Sequence, residues 1–248
     1  MNSSLVRVRE GLQRVQWLWL IVAIGWGGLF AFHTPMTQAI RSLSWGIHTF
    51  ASWELMLAAM MLPSIIPVIN AFNVVTDSVE NRSQLQLIFF SAYVLLWTGF
   101  SILMVGLEAS NVFEVLQLTT PLGKGLSLIA VGGFQFTPLK LACLRGCRSA
   151  IALVSQYYQP GLQGAWNLGW QHGLFCLGCC WALMLEMAIL GLHSFWVMAL
   201  FTGIMLIERF WNYGEKFAIA IGVAFIGWGG FYVMMPTPQP SSMMHHHH

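Results

Sequence analysis

The sequence predicts an all-α fold: a polytopic transmembrane helical bundle of about seven spans with a cytoplasmic N-terminus. Three observations predict it. The 248 residues are 57% hydrophobic and only 8% charged, with a mean hydropathy of +0.67, whereas a soluble domain carries about 25% charged residues. Apolar runs recur at lengths near 20 residues, about what a helix needs to cross a bilayer core. Lys and Arg fall mostly to one side of those runs, as the positive-inside rule requires. The same composition excludes a disordered chain, a secreted disulfide scaffold and a water-soluble enzyme as readings of the whole chain. A net charge of +2 is too small for a nucleic-acid footprint, so no nucleic-acid partner is expected.

Taken in order, the expected spans are 16–33, 51–72, 85–107, 122–142, 165–190, 193–209 and 215–235. The first follows Arg7, Arg9 and Arg14, the flank of a signal peptide. Its apolar run is longer than a signal core and no small-residue cleavage site follows, so it reads as a span. The fifth is long enough to tilt or to extend beyond the lipid. The sixth follows after a very short turn, Gly191 to Ser194, so the two also read as one re-entrant hairpin. With the N-terminus inside, the cytoplasmic side collects Arg7, Arg9, Arg14, Arg82, Lys140, Arg145, Arg148, Arg209 and Lys216, against Arg41 and Lys124 outside. The string Gly-Trp-Gly-Gly recurs at Gly25–Gly28 and Gly227–Gly230, and close helix packing explains both copies without an internal repeat. Residues 1–240 read as a single integral membrane domain. The tail 241–248 ends in His245–His248, a tag remnant excluded from the chemistry.

The unusual residues cluster. All five cysteines, Cys143, Cys147, Cys176, Cys179 and Cys180, lie within one short window of the chain. A lone buried cysteine is ordinary packing, but soft ligands at ligand spacing are what metal sites use. At about 100° per residue from His172, Cys176 falls near +40°, Cys179 near −20° and Cys180 near +80°. Further along the same wheel Glu186 lies at about −40° and Met187 at about +60°. One stripe of span five thus carries an imidazole, three thiols, a carboxylate and a thioether, and it should face the bundle interior. Gly169 and Gly173 border the stripe, where a neighbouring helix can come close.

Two further segments bear on this stripe. In Pro138–Arg148, Cys143 and Cys147 are four apart and share a helix face among Lys140, Arg145 and Arg148; nearby cations favour the thiolate that binds metal or attacks a disulfide. The plain alternative is a positive flank with two incidental cysteines. In Trp53–Pro67, Met56 and Met60 are one turn apart, Met61 shares a face with Glu54, and Pro63 and Pro67 free backbone carbonyls and bend the helix. Methionine at this spacing is more often core than ligand. Glu54 and Glu186 are ionisable groups in apolar spans, which makes them functional candidates or outer-half residues solvated near the interface. His33, His48 and His193 read as surface residues.

These segments resemble a bacterial family of polytopic membrane proteins predicted to bind metal, some of whose members are labelled copper chaperones. The resemblance covers about residues 50–230. It is carried by Ala59-Met-Met-Leu-Pro63, by the Pro-Leu-Lys, Cys-Leu-Arg and Cys-Arg elements of 138–148, and by Gln171-His-Gly with Cys176-Leu-Gly-Cys-Cys-Trp-Ala-Leu-Met184. The chain departs from the pattern at Gly191-Leu-His-Ser, where a Met-Asn pair is expected. The resemblance implies the membrane fold and metal binding, and it supplies no reaction.

The leading expectation is therefore the handling of a soft metal, copper as Cu(I), through Cys143, Cys147, His172, Cys176, Cys179, Cys180, Met187 and Met60, because thiolates and thioethers select that ion. Zinc is the second choice, since Cys and His also suit a tetrahedral site. The expected partners are the lipid bilayer and a soluble metal donor or acceptor, or a membrane complex. The expected location is a bacterial inner or thylakoid-type membrane. Two other classes stay open: a membrane thiol or metal-dependent oxidoreductase, given the Cys176-Leu-Gly-Cys179 spacing, and a structural subunit or assembly factor.

Overall fold

In lipid every backbone amide must be satisfied within its own segment, so apolar runs of this length fold as helices. The computed structural model describes residues 16–31, 43–76, 79, 81–191 and 195–234, and among them all regular structure is helical. The helices are α1 (Gln16–Ala31), α2 (Leu43–Val75), α3 (Arg82–Ala109), α4 (Val112–Val115), α5 (Pro121–Phe134), α6 (Pro138–Arg148), α7 (Ala150–Tyr157), α8 (Leu162–Gly191), α9 (Phe195–Phe210) and α10 (Gly214–Met234). Four stretches are long and apolar enough to cross a membrane: Trp45–Val75, Arg82–Ala109, Leu162–Leu190 and Gly214–Met234. A fifth forms if α5 and α6, bent by 63° at their junction, make one broken span. α1 and α9 coincide with the two remaining expected spans. Each has 16 residues, or about 24 Å of helix against a hydrocarbon core of about 30 Å.

The break in the expected span 122–142 has a local cause. Thr137 caps α6, its hydroxyl accepting from the Lys140 amide at 3.2 Å, and Pro138 follows at the first helical position. Thr120 and Pro121 start α5 by the same device, with Gly123 N donating to Thr120 Oγ1 at 3.1 Å. A capped Thr followed by Pro is a helix start, so the Thr137-Pro138 pair stops the previous helix as well.

Small residues set the helix contacts. A Cβ on Gly132 would meet the Gly222 carbonyl at 2.8 Å, and one on Gly229 would lie 2.5 Å from the Gly125 carbonyl, so α5 and α10 touch backbone to backbone. Gly169 abuts the Phe89 carbonyl, and Gly173 abuts the Leu96 side chain, which brings α8 against α3 as the sequence suggested. Of the Gly-Trp-Gly-Gly copies, Gly25, Gly28 and Gly229 serve packing, while Gly27, Gly227 and Gly230 face open space.

Two cations assigned to the cytoplasmic flank are not on a flank. Lys140 and Arg209 are both buried among the helices. Lys140 Nζ pairs with Glu208 Oε2 at 2.7 Å and donates to the Cys179 carbonyl at 2.5 Å. Arg145 and Arg148 do stay at the surface, bonded to Glu215 and to the Trp211 and Asn212 carbonyls of the α9–α10 turn. Of the cations expected on that side, Lys140 and Arg209 are therefore interior groups.

Candidate metal site in the bundle interior

The site is assembled where α2, α3, α6 and α9 meet the first half of α8. Gly178 permits one of these approaches. A Cβ there would come 2.6 Å from Cys143 Sγ, so the glycine inside Cys176-Leu-Gly-Cys179 is a seat for α6. On α2, the Met61 carbonyl accepts from Ser64 Oγ at 2.5 Å and from Tyr93 OH at 3.2 Å. Those two hydroxyls then face Cys176 Sγ, at 3.7 and 3.4 Å. Met61 Sδ lies 3.9 Å from the same thiol.

The thiols are free and, Cys143 excepted, buried. Cys179 Sγ and Cys180 Sγ are 3.3 Å apart, and Cys179 Sγ donates to the Cys176 carbonyl at 3.1 Å. Cys147, buried on α6, joins this group through its carbonyl, which accepts from Arg209 Nη2 at 3.3 Å. Cys179 and Cys180 open onto a small pocket whose other walls include Met60, Met61, Met205, Leu144, Glu208 and Arg209. Thiolate–metal bonds of about 2.3 Å hold two sulfurs within about 4.6 Å. The Cys179–Cys180 and Cys176–Met61 separations both meet that limit. Among the described residues, no three of His, Cys, Asp and Glu converge on a point by themselves. The further sulfur donors on the pocket wall are the thioethers of Met60, Met61 and Met205, and thioethers belong to soft-metal chemistry.

Arg209 organises the polar part. Its Nη1 donates to Cys176 Sγ at 3.3 Å, and its Nη2 donates to the carbonyls of Ser64 at 3.1 Å and Cys147 at 3.3 Å. His172 Nε2 lies 3.4 Å from the same Nη2. The imidazole is stacked against Tyr93, with centroids 5.3 Å apart, and against Phe89, and its Nδ1 has no partner. Next to Arg209, Glu208 is held by Lys140 and by Gln135 Nε2 at 3.2 Å.

Of the expected ligands, Cys147, Cys176, Cys179, Cys180 and Met60 are brought together, with Cys143 at the half-buried rim. His172 is close, but its Nε2 faces a guanidinium rather than the pocket. Met187 is buried two turns beyond Cys180, about 10 Å along the axis at about 1.5 Å per residue. Glu186 shares that level. It is fully buried rather than solvated, its Oε1 accepting from Ser127 Oγ at 3.2 Å and its Oε2 lacking a partner. Glu54, also without a partner on Oε1, accepts from Thr98 at 3.4 Å. His48 is half-buried within α2; His33 and His193 lie outside the described residues, as does the departure at 192–194. Sequence reasoning passed over Ser64, Tyr93, Met205 and the Glu208-Arg209 pair. The last left a signal: adjacent opposite charges inside the apolar run Leu206-Ile-Glu-Arg-Phe210.

A family model described as PpoB2, copper chaperone, matches residues 50–232. The chain belongs to the PpoB2 copper chaperone family. The matched range runs from α2 into α10 and contains every residue of the pocket and of the thiol group. Comparisons with curated proteins and with solved structures gave no match. The PpoB2 assignment agrees with the sulfur-rich lining of the pocket, since thiols and thioethers suit soft metals rather than oxygen-seeking cations.

Proposed function

We propose that this protein binds Cu(I) in the Cys179–Cys180 pocket and hands it to a protein partner from within the membrane. The observation that carries the reading is the pairing of two thiols 3.3 Å apart with the thioethers of Met60, Met61 and Met205 around one small pocket. Ligand exchange supplies the movement: each incoming thiolate bonds the ion before the outgoing sulfur leaves, and no oxidation state changes. Cys143, the one cysteine that is not fully buried, would receive the ion at the rim. Cys147 and Cys176 would flank its path to Cys179 and Cys180. Copper is cargo in this scheme, with zinc disfavoured because the donors beside the two thiols are thioethers, which are not among its usual ligands. The donor and acceptor would be soluble copper carriers or a membrane complex receiving copper. The setting would be a bacterial inner or thylakoid-type membrane, with the whole of 1–240 as one domain of seven spans and the N-terminus inside.

The test is elemental analysis of detergent-purified protein after tag removal, as purified and after anaerobic Cu(I) loading. About one tightly held copper per chain is expected. A folded protein that takes up none overturns the proposal. The thiol oxidoreductase alternative draws on one observation, the 3.3 Å separation of the Cys179 and Cys180 thiols. It requires a native disulfide, read as a mass difference after alkylation with and without reductant.

A further inference from the structure

A guanidinium removed from water is costly unless an anion answers it. Arg209 is 8% exposed, and its partners are a thiol, two carbonyls and an imidazole nitrogen. No carboxylate is among them. Glu208, its neighbour in the chain, is already taken by Lys140 at 2.7 Å and by Gln135. The same guanidinium lines the pocket onto which Cys179 and Cys180 open. The pocket wall therefore carries one positive charge that the described side chains do not neutralise, since arginine stays protonated in proteins.

We infer that Arg209 fixes the net charge of the complex the pocket accepts, and so selects a monovalent soft ion over a divalent one. The inference rests on the copper reading above and adds its selectivity. Two thiols and one Cu(I) give a bis-thiolate complex of charge −1 and release two protons, because thiols bind metal as thiolates. Arg209, on the wall of the same pocket, answers that charge. A divalent ion with the same two thiolates is neutral and leaves the guanidinium buried and unanswered. It reaches −1 only by taking a third thiolate, and Cys176 is not among the residues that line the pocket. Thioether ligands from Met60, Met61 and Met205 add no charge, so they cannot alter this balance. Having no lone pair to donate, Arg209 is a positioning and charge-setting residue, not a ligand.

The experiment is anaerobic competition titration of the full, tag-free protein in detergent with four probes: Cu(I), Ag(I), Zn(II) and Cd(II). Silver and cadmium separate charge from softness, since both seek thiolate. Wild type should prefer the monovalent pair. Arg209→Lys should retain that preference, and Arg209→Gln should lower it by at least about tenfold while still binding Cu(I), because the unanswered charge is gone. An Arg209→Gln protein with unchanged preference, or one that loses all four ions equally, overturns the inference and leaves the copper reading standing. Should Arg209→Gln fail to fold, wild type decides: Cd(II) held as tightly as Ag(I) overturns it. Wild type that takes up none of the four overturns both.

Discussion

The two halves of α8 lie on one helical stripe and have different chemistry. From His172 to Cys180 the polar and sulfur groups are served from α2, α3, α6 and α9, and they surround a pocket. From Met184 to Met187 the thioethers are packed away and Glu186 keeps an oxygen without a partner. A helical wheel reports direction around the axis and is blind to depth along it. Depth is decided by what other helices bring, and only the first half receives the Ser64, Tyr93 and Arg209 groups that turn a row of sulfurs into a site.

The sharpest break of that contrast is at the thiols. Cys179→Ser with Cys180→Ser should take copper from about one per chain to none, because hydroxyls are hard donors that Cu(I) does not favour. Glu186→Gln should leave the copper content of loaded protein unchanged. Elemental analysis of the two variants side by side decides the matter. If Glu186→Gln loses copper as completely, the halves are one site and the contrast is wrong.

The second effect is on stability, and it compares two ion pairs at the same end of the molecule. Glu208→Gln leaves the Lys140 ammonium buried without its anion and should cost about 3–5 kcal/mol. Arg145→Ala removes the exposed pair with Glu215, where about 0–1 kcal/mol is expected. Denaturant unfolding in micelles measures both. Replacing Lys140 and Glu208 together by Met and Leu should recover most of the loss, since the cost lies in the stranded charge rather than in the missing bond. Equal effects at the two pairs would mean that water reaches Lys140.

How much of this was legible in the sequence follows the same division. Apolar length and the Cys/His stripe were visible because they are local, and so was the close approach at Gly169 and Gly173. The Thr137-Pro138 break was also local, but it was masked by apolar residues on both sides that made 122–142 look continuous. Lys140 and Arg209 were misread because a cation near a span end normally marks the flank. Only tertiary contact shows that Glu208 and Cys176 draw them inward. Met205 and Tyr93 gave no signal, since a Met or a Tyr in an apolar helix is ordinary core. The pocket is a product of helix adjacency, which one sequence does not encode.

A smaller effect tests the seat between α6 and α8. Gly178→Ala puts a methyl 2.6 Å from Cys143 Sγ, and overpacking of this kind costs about 1–3 kcal/mol. Because the obstacle is the tip of one side chain, Cys143→Ala in the same protein should remove most of the penalty. A double-mutant cycle by micelle unfolding reads the coupling. Additive losses would mean that Gly178 is needed for the backbone and not for the thiol.

The smallest effect belongs to the far half of the stripe. Met187→Leu keeps volume and apolarity in a buried place, so stability should change by less than about 1.5 kcal/mol. Copper stoichiometry should not change at all, because about 10 Å of helix separates Met187 from Cys180. Met60→Leu is the paired measurement. It deletes a thioether that lines the pocket at the same modest cost in packing, and it should weaken Cu(I) retention against a competing chelator. If instead Met187→Leu weakens retention and Met60→Leu does not, copper rests in the deeper half of α8, and the thiol pocket is only a stage it passes through.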